Sequence, residues 1–161
     1  MFGFKKNKAT LADEALYAPV SGQLIPLEEV SDPVFSGKIM GDGFAVEPSS
    51  DQVVSPTTGR ISMVQGHAIG ITREDGLEIL LHLGIDTVSL NGVPFEIDVK
   101  VGTTVKGGDR LGKVDWHQVE VAGLEKTTMV LITNTADRLE KIEINYGDVA
   151  LGERVGQALS K

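Results

Sequence analysis

The sequence contains no cysteine. Disulfides, thiolate nucleophiles and cysteine-ligated metal are therefore excluded. Aromatic residues make up 5% of the chain, with a single tryptophan. Positive charge is also scarce. Fifteen Lys and Arg stand against 23 Asp and Glu, a formal net charge of −8. That balance argues against a nucleic-acid partner, which needs clustered cations on the phosphate backbone. No apolar run approaches the roughly 20 residues that cross a bilayer. The opening MFGFKKNK carries three lysines with no apolar stretch behind them, so it does not read as a secretory signal. A cytoplasmic location is expected, with peripheral membrane contact at most through the Phe- and Lys-bearing tail.

What is abundant is punctuation. Nineteen glycines and six prolines divide the chain into apolar runs of four to seven residues, a pattern of short strands and turns. Residues 1–13 read as a flexible tail and residues 14–161 as a single domain. Strands are expected near 15–18, 22–26, 44–48, 52–54, 59–63, 67–72, 77–83, 96–99, 110–115, 128–133 and 141–145. Short helices are expected at 31–35 and 116–121. The fold class is all-β, an antiparallel sandwich or barrel.

Two internal echoes point to duplication. Ala18-Pro19-Val20-Ser21-Gly22 matches Ser55-Pro56-Thr57-Thr58-Gly59, and the Gly-rich segment 102–111 has a fainter counterpart at 147–155. Chance recurrence of Gly and Val explains the second as well as duplication does.

Two of the three histidines, His67 and His82, fall in one expected hairpin. With Arg73-Glu74-Asp75-Gly76 as a four-residue turn, Thr72 pairs with Leu77 and His67 stands directly opposite His82. A slip of one residue would send the imidazoles to opposite faces. Facing imidazoles suit metal binding or nucleophilic catalysis, in which one ring attacks and the other stabilises the transferred charge. Two satisfied histidines on a strand face are the plainer alternative. Asp86 is the only carboxylate near on the same segment, so a metal would need further ligands. His117 has no partner at useful spacing and reads as a surface residue; Trp116 reads as core.

The run Ile79-Leu80-Leu81-His82-Leu83-Gly84-Ile85-Asp86-Thr87-Val88 resembles the active-site segment of the glucose-type enzyme IIA component of the bacterial phosphoenolpyruvate-dependent sugar phosphotransferase system. Gly66-His67-Ala68-Ile69-Gly70-Ile71 resembles its second-histidine segment. Ala18–Gly22, Asp32-Pro33-Val34-Phe35 and Lys38-Ile39-Met40-Gly41-Asp42-Gly43 match its opening region. The resemblance spans about residues 16–160 and implies a duplicated β-sandwich of the hybrid barrel-sandwich type. It implies a phosphotransferase with a transient phosphohistidine. Nε2 of His82 takes a phosphoryl group from the histidine carrier protein HPr and passes it to a cysteine on the IIB unit of a sugar permease. His67 hydrogen-bonds the phosphoryl group, and the Gly84 carbonyl holds Nδ1–H of His82. Gln65 stands where the family usually has Thr, so Gln65, Gly84 and Asp86 are expected in supporting roles. Pro33, Val34, Phe35, Ile39, Met40 and Leu80 are candidates for an apolar docking rim. No cofactor is expected; His67 and His82 would hold zinc only with a ligand from a partner. Regulatory binding to other proteins is a second reading that coexists with phosphate relay. A lipoyl- or biotinyl-type carrier is a third, disfavoured because no lysine has the flanks of a modified hairpin tip.

Overall fold

The computed structural model describes residues 13–161; of the tail expected over residues 1–13, residues 1–12 lie outside them. Asp13 is part of the fold. Its carboxylate accepts from Ala15 N, Tyr17 Oη and Thr58 Oγ1.

Fourteen strands form among the described residues: β1 (Ala15–Tyr17), β2 (Gly22–Pro26), β3 (Asp42–Pro48), β4 (Gln52–Val54), β5 (Gly59–Gln65), β6 (Ala68–Thr72), β7 (Glu78–Leu83), β8 (Phe95–Ile97), β9 (Thr104–Val105), β10 (Arg110–Val114), β11 (Thr128–Ile132), β12 (Leu139–Ile144), β13 (Gly147–Val149) and β14 (Arg154–Ser160). Three short α-helices accompany them, α1 (Pro33–Ser36), α2 (Trp116–Val121) and α3 (Thr135–Arg138), with 3-10 turns at Leu27–Glu29 and Thr87–Leu90. An eight-stranded sheet, ordered β13-β2-β3-β11-β7-β6-β5-β9, is joined by two three-stranded sheets, β1-β14-β12 and β4-β10-β8. The strand pairs are antiparallel, so the expected all-β sandwich forms.

Alternation in β7 sets the layers. Ile79, Leu81 and Leu83 are buried in the main core, between the large sheet and Leu16, Val53, Leu111 and Val155 of the two small ones. Leu80 and His82 face the other way, as the two-residue period of a strand requires. On that outer face a second apolar cluster gathers Ala45, Met129 and Leu131 beneath Leu27, Val30 and Phe35. β11 therefore reads TMVLI, buried on both faces.

Duplication extends to individual hydrogen bonds. Tyr17 N donates to Pro56 O, and Val54 N to Pro19 O, both at 2.9 Å. Ala18 N donates to Glu153 O at 2.8 Å, and Ser55 N to Asp109 O at 2.8 Å. The two Gly-rich loops close on their own carboxylates, Lys106 N on Asp109 and Ala150 N on Glu153. Each loop is then tied to the opposite Pro turn, Gly107 N to Thr58 Oγ1 and Leu151 N to Ser21 Oγ. The fainter echo is thus as structural as the first.

The hairpin register corrects the expected pairing. The β6–β7 loop has three residues, Glu74, Asp75 and Gly76, because Arg73 N still bonds Leu77 O at 2.9 Å. Gly76 takes φ +95° after a tight turn, the usual geometry of a three-residue hairpin. Arg73 is buried, paired with Asp75 and bonded to Ala158 O. Ala68, not His67, consequently stands opposite His82. His67 is not a strand residue: it occupies the Gly66-His67 turn between the paired residues Gln65 and Ala68.

Candidate functional site

His82 sits on the second-last position of β7, opposite Ala68 on one side and Met129 on the other. Its Nδ1 lies 2.7 Å from Gly84 O. A carbonyl only accepts, so Nδ1 carries the proton and Nε2 keeps its lone pair. Gly84 reaches back because its φ is +86°, and a Cβ there would fall 2.5 Å from Thr87 Cγ2 and 3.0 Å from Glu125 O. Only glycine suits that combination.

The His82 ring has two aromatic neighbours. Phe35 of α1 lies at 5.2 Å between ring centroids, tilted by 53°, and His67 also at 5.2 Å, edge-on at 79°. Asp32 caps α1 by accepting from Val34 N at 2.9 Å, with Pro33 in the first helical turn, which starts the turn that carries Phe35 to the ring. His67 reaches the ring despite the shifted register because it is a corner residue. Gly66 has φ +27° and would meet Gly92 Cα at 3.0 Å if it carried a Cβ, so the turn is closely packed. His67 O accepts from Leu83 N at 2.7 Å.

Burial lowers the pKa of both histidines. For His82, burial is the largest influence. The Gly84 carbonyl opposes it, neighbouring His67 adds to it, and Asp86 and Asp32 oppose it more weakly. Both rings are therefore neutral at pH 7, and the Nε2 lone pair of His82 is available as a nucleophile.

The other expected site residues divide by burial. Pro33, Val34 and Ile39 are exposed, Ile39 by 75%. Phe35 is buried against His82, and Met40 and Leu80 pack on the outer-face cluster. Gln65 is exposed at the end of β5 and lines a shallow groove with His67, Val88, Asn91 and Gly92. Asp86 is exposed at φ +62°, and its side chain caps no helix. Val88 and Val93 are exposed by 62% and 71% and were not among the expected rim residues; their apolar character next to the His82 run was the available signal. Trp116 is buried, with Nε1 donating to Ser50 O, and His117 is exposed. Among the described residues, no third His, Cys, Asp or Glu joins the pair in a metal-holding group, and no helix is long and apolar enough to cross a membrane.

The sandwich thus presents one half-buried imidazole, its tautomer fixed by the Gly84 carbonyl, edge-on to a second. The chain belongs to the enzyme IIA family of the sugar phosphotransferase system: residues 14–138 match the family described as phosphoenolpyruvate-dependent sugar phosphotransferase system, EIIA 1. It is 40% identical over 152 residues to a glucose-specific EIIA component of Oceanobacillus iheyensis, covering 93% of this chain and 92% of that one. It is 45% identical over 133 residues to a glucose-specific EIICBA component of Streptococcus pneumoniae serotype 4, covering 81% of this chain and 18% of that longer protein. Among solved structures, the glucose permease IIA from Mycoplasma capricolum superposes with a TM-score of 0.77 at 35% identity, over 97% of this chain and 98% of that one. The protein is accordingly a phosphotransferase-system component with a phosphocarrier role toward a IIB unit.

Proposed function

We propose that His82 is the phosphoryl acceptor and that phospho-HPr is the donor. The observation that carries this reading is the 2.7 Å bond from His82 Nδ1 to Gly84 O, which leaves Nε2 as the ring's one free nucleophilic atom. In the first transfer the donor's P–N bond breaks as a P–Nε2 bond forms on His82. In the second, P–Nε2 breaks as a P–S bond forms on the cysteine of a IIB unit. His67, edge-on to the His82 ring, hydrogen-bonds the phosphoryl oxygens. Phe35 covers the ring, and a docked partner excludes the remaining water, so a reactive phosphoramidate is not lost to hydrolysis. Catalysis here is positioning and charge stabilisation. Pro33, Val34, Ile39 and Val88 form the docking surface, and Asp32 and Asp86 meet cations on the partner. Location in the cytoplasm follows from this relay. The sugar is chosen by the permease, and the relatives include both a glucose-specific and, in Bacillus subtilis, a beta-glucoside-specific component. His67 and His82 would hold a zinc ion only if a partner supplied further ligands.

Incubation with phosphoenolpyruvate, enzyme I and HPr tests the proposal. The expected result is one added phosphoryl group by intact mass, absent from His82→Ala. A folded, wild-type sample that takes up no phosphate from active HPr would overturn it.

A further inference from the structure

Three consecutive peptide groups orient the His82 ring, and each is pinned. The 82–83 peptide is held by its N–H, which donates to His67 O at 2.7 Å. The 83–84 peptide is held at both ends: Gly84 N donates to Thr127 O at 3.1 Å, and Leu83 O accepts from Thr87 Oγ1 at 2.7 Å. The 84–85 peptide, whose carbonyl receives the His82 proton, is held by Ile85 N donating to Glu125 O at 3.1 Å. Every one of these pins except the Thr87 hydroxyl is backbone.

Thr87 is fully buried. Its γ-methyl occupies the space beside Gly84, where a Cβ at Gly84 would fall 2.5 Å from it. The loop between them turns back through Gly84 at φ +86° and Asp86 at φ +62°. Both are left-handed conformations; glycine adopts one freely, whereas a non-glycine residue such as Asp86 does so uncommonly, where the surroundings hold it. Through Leu83 the same hydroxyl is linked to His67, because Leu83 N donates to the His67 carbonyl while Leu83 O accepts from Thr87.

We infer that Thr87 is a positioning residue for phosphoryl transfer: its hydroxyl, bonded to Leu83 O, fixes the turn that aims the Gly84 carbonyl at Nδ1 of His82 and so keeps Nε2 free. The inference rests on His82 being the acceptor, but its structural half is measurable without any transfer. Thr87→Val keeps both branches of the side chain and removes only the donor. The Leu83 carbonyl is then left buried with its acceptor unmet, and the 83–84 peptide loses its side-chain pin.

The test is ring nitrogen NMR on ¹⁵N-labelled full-length protein, together with single-turnover transfer from phospho-HPr. Wild type and Thr87→Ser are expected to hold His82 in the Nδ1–H tautomer. Thr87→Val is expected to show a mixture of tautomers and a transfer rate lower by about tenfold at unchanged KM for phospho-HPr. Wild-type tautomer and rate in a folded Thr87→Val would overturn the inference. If Thr87→Val does not fold, Thr87→Ser decides: retention of the single tautomer supports the hydroxyl, and a mixture means that the methyl acts instead and overturns it. Failure of wild type to take phosphate, with the tautomers behaving as stated, would remove the carrier proposal and leave the role of Thr87 in orienting His82 standing.

Discussion

His67 and His82 meet edge-on at 5.2 Å although the residue opposite His82 in the ladder is Ala68. A strand residue at position 67 would have pointed to the far face. The pair exists because His67 is the corner of a two-residue turn, held through its carbonyl by Leu83 N. The second histidine is therefore placed by a turn and a backbone bond, independently of the ring it serves.

That independence makes a prediction for His67→Ala. The His82–Gly84 bond does not involve the His67 side chain, so the Nδ1–H tautomer of His82 is expected to persist in ring NMR. Transfer is expected to slow by about 10²-fold, the effect of removing one hydrogen-bond donor from a group that gains charge. Loss of the tautomer in this variant would show that the two rings are not separately held.

Gly84→Ala is expected to destabilise the protein by about 2 kcal/mol or more, because φ +86° is strained for alanine and the new Cβ meets Thr87 Cγ2 at 2.5 Å. Urea unfolding measures this. Relief of the clash must rotate the carbonyl that holds His82, so acceptor function should fall with stability.

Phe35→Ala opens the His82 ring to water. Removal of a buried phenylalanine costs about 3–5 kcal/mol; here the lower end is expected, since α1 lies at the edge of the outer-face cluster. Burial is the leading cause of the lowered His82 pKa. The histidine should accordingly titrate closer to its ordinary value of about 6.5, as followed by its ring proton shift.

The pH dependence of wild type follows from the same shifts. The folded pKa values of His67 and His82 are both lowered, so between those values and about 6.5 the unfolded chain binds more protons than the folded one. The stability these two neutral rings confer is complete above about pH 6.5 and is lost as pH falls through that window. Denaturation midpoints measured between pH 5.5 and 7.5 should decrease on acidification, and the decrease should shrink in His67→Ala/His82→Ala. Phosphoryl acceptance should fall in the same direction, since a protonated Nε2 has no lone pair.

Much of this was legible in the sequence, for identifiable reasons. Alternation in Glu78–Leu83 puts Ile79, Leu81 and Leu83 on one face and leaves His82 on the other. The Pro turns at 19 and 56 repeat residue types, and the structure repeats their hydrogen bonds. β14 was hidden because its residues are poor strand formers. Gly156 is nonetheless required where a Cβ would strike Glu143 O at 2.0 Å, and the strand forms because β1 and β12 pair on its two sides. The expected hairpin register differs through one residue: Arg73 looks like a turn residue by charge, yet it is buried, continues the ladder through its bond to Leu77 O, and pairs with Asp75 of the loop. Neither the Phe35 contact nor the Thr87 bond is a local pattern; the first depends on packing across the chain and the second on a turn built from two left-handed residues.

Nε2 of His82 is the atom proposed to carry the phosphoryl group. Phosphorus–nitrogen coupling in ¹⁵N-histidine-labelled, phosphorylated protein reads the atom directly. Coupling to Nε2 of His82 is expected, with the Nδ1 proton still bonded to the Gly84 carbonyl. Coupling to Nδ1 of His82, or to either nitrogen of His67, would contradict it.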